Sequence, residues 1–134
     1  MNPFGLQFHS NSPIYLQLAE HIRRAIASGQ LACGQRLDSV RDLASAYQVN
    51  PNTMQRALST LESEGLLRSE RTAGRFITED TELIAALQVC EADAIIAQFL
   101  EQMQQIGCER QRILTLVQSA VEAAEKGESH GTQQ

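Results

Sequence analysis

The stretch VNPNTMQRALSTLESEGLL, residues 49–67, gathers hydrogen-bonding side chains at one end. Asn50, Asn52, Thr53, Gln55 and Arg56 stand close together there. A carboxamide offers a donor and an acceptor in one plane, the complement of the adenine edge, and a guanidinium forks onto guanine or phosphate. Behind them Met54, Ala57, Leu58 and Leu61 recur at helical spacing. With that stripe turned inward, Asn52, Thr53, Gln55, Arg56 and Ser59 face out. Asn50 and Pro51 also suit a plain helix start, as cap and first residue. That reading accounts for those two positions and leaves Gln55 and Arg56 unexplained.

The elements around this stretch decide what it can meet. Residues 1–12 carry Phe4, Leu6 and Phe8 in alternation, the pattern of a short extended arm. Pro13 opens a helix whose stripe is Ile14, Leu18, Ile22 and Ile26, closed by Gly29. GQLACGQRLDS has two glycines and no period, and reads as a connector. Ser39 followed by Asp42 starts a short helix with Val40, Leu43 and Ala44 inward and Arg41 near its start. The break at YQV is short, so a tight turn joins this helix to the next, which Gly65 ends. LLRSE and RFIT are β-prone runs separated by RTAG, a hairpin. Helix, helix, helix and hairpin over residues 13–78 make a winged helix-turn-helix. In that arrangement the second helix of the pair enters the major groove of double-stranded DNA by its first turns, which is where the polar cluster lies.

Charge and composition narrow the function classes. The net charge is −5. It divides unevenly, with eight arginines against six carboxylates in residues 13–78 and three basic against ten acidic residues from Glu79 onward. Such asymmetry suggests a division of labour. Cys33, Cys90 and Cys108 are odd in number and widely spaced, as reduced cytoplasmic thiols are. His9, His21 and His130 show no ligand spacing, so neither a metal site nor another cofactor is expected. No nucleophile elbow, phosphate loop or zinc motif occurs, so no catalytic residue and no enzyme activity is expected. No signal peptide is read, and no apolar run looks long enough to span a membrane. The rival function is a winged-helix protein-interaction module without specific DNA binding. Its exposed third-helix face would be apolar, not lined by Asn52, Thr53, Gln55 and Arg56.

The segment PIYLQLAEHIRRAIASGQLACGQRLDSVRDLASAYQVNPNTMQRALSTLESEGLLRSERTAGRFI, residues 13–77, resembles the DNA-binding domain of GntR-family transcriptional regulators. The VNPNT start and the short tail resemble the YtrA-like subfamily. The resemblance implies that Arg41, then Asn50, Asn52, Thr53, Gln55 and Arg56, then the wing glycine Gly74 reach DNA. Wing arginines Arg71 and Arg75 are expected on phosphates. Two positions depart from the family pattern. Asp38 stands where proline is usual, and Thr72 stands where the wing usually has its first glycine. The resemblance also implies a repressor. It leaves open whether a small-molecule effector binds.

After the wing, residues 79–126 read as two helices. Asp80 can cap the first, whose stripe runs Leu83, Leu87, Cys90 and Ala94 with Ile84, Ile95 and Phe99 flanking. Gly107 breaks it, and Ile113, Leu116, Val117, Ala120 and Ala124 mark the second. Two such helices cannot enclose a pocket, and their stripes need another surface. That surface is either the same pair from a second chain, giving a homodimer through Leu83, Leu87, Ala94, Phe99, Ile113, Leu116, Val117 and Ala120, or the chain's own first domain. Residues 127–134 lack apolar side chains and are expected to be disordered. The expected fold class is therefore mainly α with a small β wing, a winged helix-turn-helix domain plus a C-terminal two-helix dimerisation segment.

Overall fold

The computed structural model describes the backbone of residues 6–132 and the side chains of residues 6–127. Phe4 lies outside the described residues. The elements run α1 (Ile14–Ala27), α2 (Val40–Tyr47), α3 (Pro51–Ser63), β1 (Leu67–Glu70), β2 (Gly74–Ile77), α4 (Thr81–Gln105) and α5 (Arg110–Thr132). The order is the one the periodicity predicts. The chain divides into two compact units, residues 1–91 and 92–134, and the division falls inside α4.

Local chemistry explains the starts of the helices. The Ser39 hydroxyl accepts from the Asp42 amide at 3.1 Å, and the Asn50 side chain accepts from the Asn52 amide at 2.8 Å. The Asp80 carboxylate accepts from the Leu83 amide at 3.1 Å. Each satisfies an amide that the helix itself leaves unpaired. The turn between α2 and α3 carries no glycine; Gln48 takes the left-handed conformation itself, at φ 59°. That tightness is bought by backbone pairing, since the Val49 amide returns to the Ala44 carbonyl at 3.0 Å.

The core of the first unit is a cluster of Leu18, Ile22, Ile26, Tyr47, Met54, Leu58, Leu61 and Ile77 with their neighbours. Leu18, Ile26, Met54, Leu58, Leu61 and Ile77 are fully buried. Burying a side chain of this kind is worth about 1.5–3 kcal/mol, so three helices and the wing are held to one centre. Leu6 and Phe8 of the N-terminal arm lie against it too. The arm is tied down by Gln17, whose amide nitrogen donates to the carbonyls of His9 and Ser12 at 2.8 Å and whose oxygen accepts from the His9 amide at 3.1 Å.

β1 and β2 pair antiparallel with Leu67 opposite Ile77 and Glu70 opposite Gly74. The connector between α1 and α2 is more than a loop. Arg36 bridges to Phe76, the Leu37 amide donates to the Arg75 carbonyl at 2.9 Å, and the Ile77 amide donates to the Gln35 carbonyl at 2.8 Å. The wing thus has a third edge that glycine content and missing periodicity conceal.

The tail differs from expectation in three respects. The first compact unit extends past the boundary expected at residue 78, because Leu83, Ile84 and Leu87 of α4 lie against the winged-helix core. Gln88 donates to the Ala27 carbonyl at 2.7 Å, and Glu91 pairs with Arg24 at 3.3 Å. Second, α4 is long and apolar enough by length and composition to cross a membrane, contrary to the sequence expectation. Gln88, Glu91 and Asp93 interrupt the apolar run in the sequence, but the helix continues through them. Third, residues 127–132, expected to be disordered, are helical as the end of α5. A helix already nucleated extends by one hydrogen bond per residue fixed, even without an apolar stripe.

Candidate nucleic-acid interface

The turn between α2 and α3 sets the interface. Burying Met54, Ala57, Leu58 and Leu61 turns Asn52, Gln55, Arg56 and Ser59 to the solvent, and all four are exposed. Thr53 is half-buried on the flank of α3. Asn50 is exposed, and its side-chain oxygen is engaged by the cap, which leaves its amino group to donate. Gln55 donates to the Ser59 hydroxyl at 3.2 Å along the same helix face. Arg41 is exposed in the first turn of α2. Of the residues expected to face outward on the helix pair, Arg41, Asn50, Asn52, Gln55 and Arg56 are exposed and Thr53 is partly covered.

The wing sorts its residues less evenly. Arg71 is exposed in the turn between β1 and β2. Gly74 opens β2 with φ 99°, where a side chain is strained. A Cβ there would also come within 3.4 Å of the Arg36 Nε. Arg75 is placed differently from a free phosphate contact. Its side chain is 18% exposed and pairs with Glu62 at 4.0 Å, while Glu62 also accepts from the Ser69 hydroxyl. Position 75 lies on the side of the hairpin that faces α3, so its guanidinium is turned back onto the protein.

Three further residues were not singled out by sequence reasoning. Arg36 is exposed and lies along Gly74, brought there by the connector's pairing with β2. Arg68 stacks over Phe76 at 4.9 Å and pairs with Glu70 and Glu79. Tyr15 carries the Arg56 guanidinium over its ring at 3.9 Å. The period of α1 placed Tyr15 beside the core stripe but gave no sign of this partner.

Electrostatics separate the eight arginines of residues 13–78 into two sets. Arg23 pairs with Glu20 and Glu64, Arg24 with Glu20 and Glu91, Arg68 with Glu70 and Glu79, and Arg75 with Glu62. Among the described residues, Arg36, Arg41, Arg56 and Arg71 have no carboxylate within 4.0 Å in any ion pair. These four occupy the wing, the start of α2 and the outer face of α3. Positive charge is neutralised on the rest of the domain and left open here.

An exposed, hydrogen-bonding α3 start, an arginine at the start of α2 and a β wing define a winged helix-turn-helix DNA-binding protein. Residues 14–77 match the profile of bacterial regulatory proteins of the gntR family. Over 116 residues the chain is 34% identical to the HTH-type transcriptional regulator YhcF of Bacillus subtilis, spanning 87% of this chain and 96% of YhcF. It is 37% identical over 71 residues to the transcriptional repressor YtrA of Bacillus subtilis, covering 53% of this chain and 55% of YtrA. The structure of a GntR family transcriptional regulator from Listeria monocytogenes superposes with TM-score 0.76 at 33% identity, over 84% of this chain and 98% of that one. The AraR DNA-binding domain in complex with operator ORX1 superposes with TM-score 0.50 at 27% identity, over 54% of this chain and 93% of that domain. The chain belongs to the GntR family of transcriptional regulators.

Proposed function

We propose that this GntR-family regulator is a repressor that binds a two-fold symmetric operator as a homodimer. The observation that carries the DNA-binding part is the set of arginines without carboxylate partners. Arg36, Arg41, Arg56 and Arg71 stand beside Asn52 and Gln55 on the very elements that enter or flank a DNA groove. Phosphates would supply the missing counter-charge and release bound ions in doing so. Asn52 and Gln55 then meet base edges, and Arg41, Arg71 and Gly74 hold the backbone. The acidic balance of the chain from Glu79 onward keeps the rest of the molecule off the DNA. The relative named a repressor supports the sign of regulation, and free cysteines fit work in the cytoplasm.

The homodimer rests on the tail. Val89, Ile95, Ile96, Phe99, Leu100 and Val117 are all at least 36% exposed. Those on α4 fall within about 140° of its circumference at 100° per residue, and an exposed apolar stripe of that width is one that another surface covers. A bilayer is a poor cover, because Glu91 and Asp93 sit at the middle of α4 and an aspartate at a bilayer centre costs about 2.5–3.5 kcal/mol. A second copy presents the same apolar helices while Asp93 stays in water and Glu91 on Arg24. Ala94, Phe99, Leu116, Val117 and Ala120 are exposed and available to that interface, whereas Leu83 and Leu87 are already used by the first unit.

Selection of bound duplexes from a random pool tests the reading. The expected outcome is an inverted repeat with half-sites about one helical turn apart, roughly 10 base pairs. Enrichment of no sequence, or a monomer in sedimentation at micromolar concentration, would overturn it.

A further inference from the structure

Arg56 and Tyr15 form a contact that base reading does not require. Tyr15 is half-buried and packed on the core cluster, in the first turn of α1. Arg56 belongs to the outer face of α3, yet its guanidinium carbon lies 3.9 Å from the Tyr15 ring centroid. Together with Pro13, Ile14, Asn52 and Thr53 the pair lines a shallow groove of about 420 Å³ between α1 and α3. Successive residues of a helix diverge by about 100°, so Arg56 looks toward α1 while Gln55 looks away from it, toward Ser59.

Stacking engages the face of a guanidinium and leaves its N–H edges free. An exposed arginine normally samples many rotamers, and ordering it on binding costs free energy. Here the ring, itself fixed by the core, does the ordering before DNA arrives. The fork is thereby held on the flank of α3, where a duplex backbone passes, and away from its tip, where base edges are reached.

Resting on the DNA-binding reading above, we infer that Tyr15 is a positioning residue: its ring presents the Arg56 guanidinium to a DNA phosphate and so sets the register in which Asn52 and Gln55 meet the bases. Arg56 then serves affinity for every sequence alike, and Gln55 serves discrimination.

The test uses the full chain, its selected duplex and a scrambled duplex, with affinity measured across a salt series. Tyr15→Met keeps the apolar packing and loses the π face; Tyr15→Phe keeps both. Tyr15→Met should weaken binding to both duplexes about three- to thirty-fold. The slope of log affinity against log salt should become shallower by about 0.9, the signature of one lost phosphate contact. Tyr15→Phe should match the parent, and Tyr15→Met should add nothing to Arg56→Gln. An unchanged salt slope in Tyr15→Met, an equal loss in Tyr15→Phe, or additive losses in the double variant would each overturn the inference. Melting curves accompany every variant. If Tyr15→Met does not fold, Arg56→Gln alone decides, because an unchanged slope or a loss confined to the selected duplex refutes the phosphate role. A parent protein that binds neither duplex would instead refute the DNA-binding reading itself.

Discussion

The winged unit and the tail contain helices of comparable apolar content, yet they end in opposite states. In the winged unit, Leu18, Met54, Leu58, Leu61 and Ile77 vanish into one core. In the tail, Ile113 is buried while Ile95, Ile96, Ile106, Leu114 and Val121 are more than half exposed. The difference lies in what each stripe finds to cover it. α3 has one apolar side and one polar side, so a single neighbour on each flank completes it. Beyond Glu91 the large apolar residues of α4, Ile95, Ile96, Phe99 and Leu100, also share one side, and α5 leaves that side exposed. A closed core makes a folding unit, and an open one makes an interface.

The sharpest break in this comparison is to cut the chain after Glu91, where the first unit ends. The remaining piece keeps its whole core and should melt cooperatively as a monomer. Its affinity for the full operator should fall by about 100-fold or more, because two half-sites are no longer engaged together. Calorimetry and footprinting on the same sample check both halves of that statement. Unchanged protection of both half-sites would break the comparison.

Single substitutions of similar size should then act on different observables. Leu58→Ala empties part of a closed core and should cost the winged unit about 2–5 kcal/mol of stability. Val117→Ser should leave that unit's melting untouched and raise the concentration at which the protein dissociates, read by sedimentation.

The interface itself splits in the same manner. Gln55→Ala should reduce binding to the selected site by about 1–3 kcal/mol and relax preference at one base position. Arg71→Ala should weaken all duplexes equally and flatten the salt dependence. Arg75→Ala should have a smaller effect on the salt dependence than Arg71→Ala, because Glu62 already holds its charge. Binding isotherms on selected and scrambled duplexes separate the three.

The smallest effect concerns pH. Burial pushes the His21 imidazole below its ordinary value, and the ring sits edge-on to Tyr47 at 5.7 Å. The same burial holds the Tyr47 hydroxyl up to about 12, so it stays neutral throughout. A lowered histidine value means the unfolded chain takes up the proton first. Stability of the winged unit should therefore be fully present above about pH 7 and decline as pH falls through the ordinary histidine range of about 6.5. His21→Gln should flatten that decline in melting curves taken from pH 7.5 to 5.5.

Local information in the chain was enough for the helices, their caps, the wing and the outward set Asn52, Gln55 and Arg56. Each depends on residues within a few positions of one another: Ser39 with Asp42, Asn50 with Asn52, Asp80 with Leu83. Periodicity and capping are short-range effects, so a sequence displays them directly. Tertiary structure alone decided which charges remain free and which apolar side chains remain uncovered. Arg75 was withdrawn by Glu62, Arg56 was claimed by Tyr15, Leu87 was taken by the first unit's core, and the connector at Arg36 became a third edge of the wing. Those pairings join residues far apart along the chain. Nothing in the spacing of either partner encodes the other, because what brings them together is the closing of a common core.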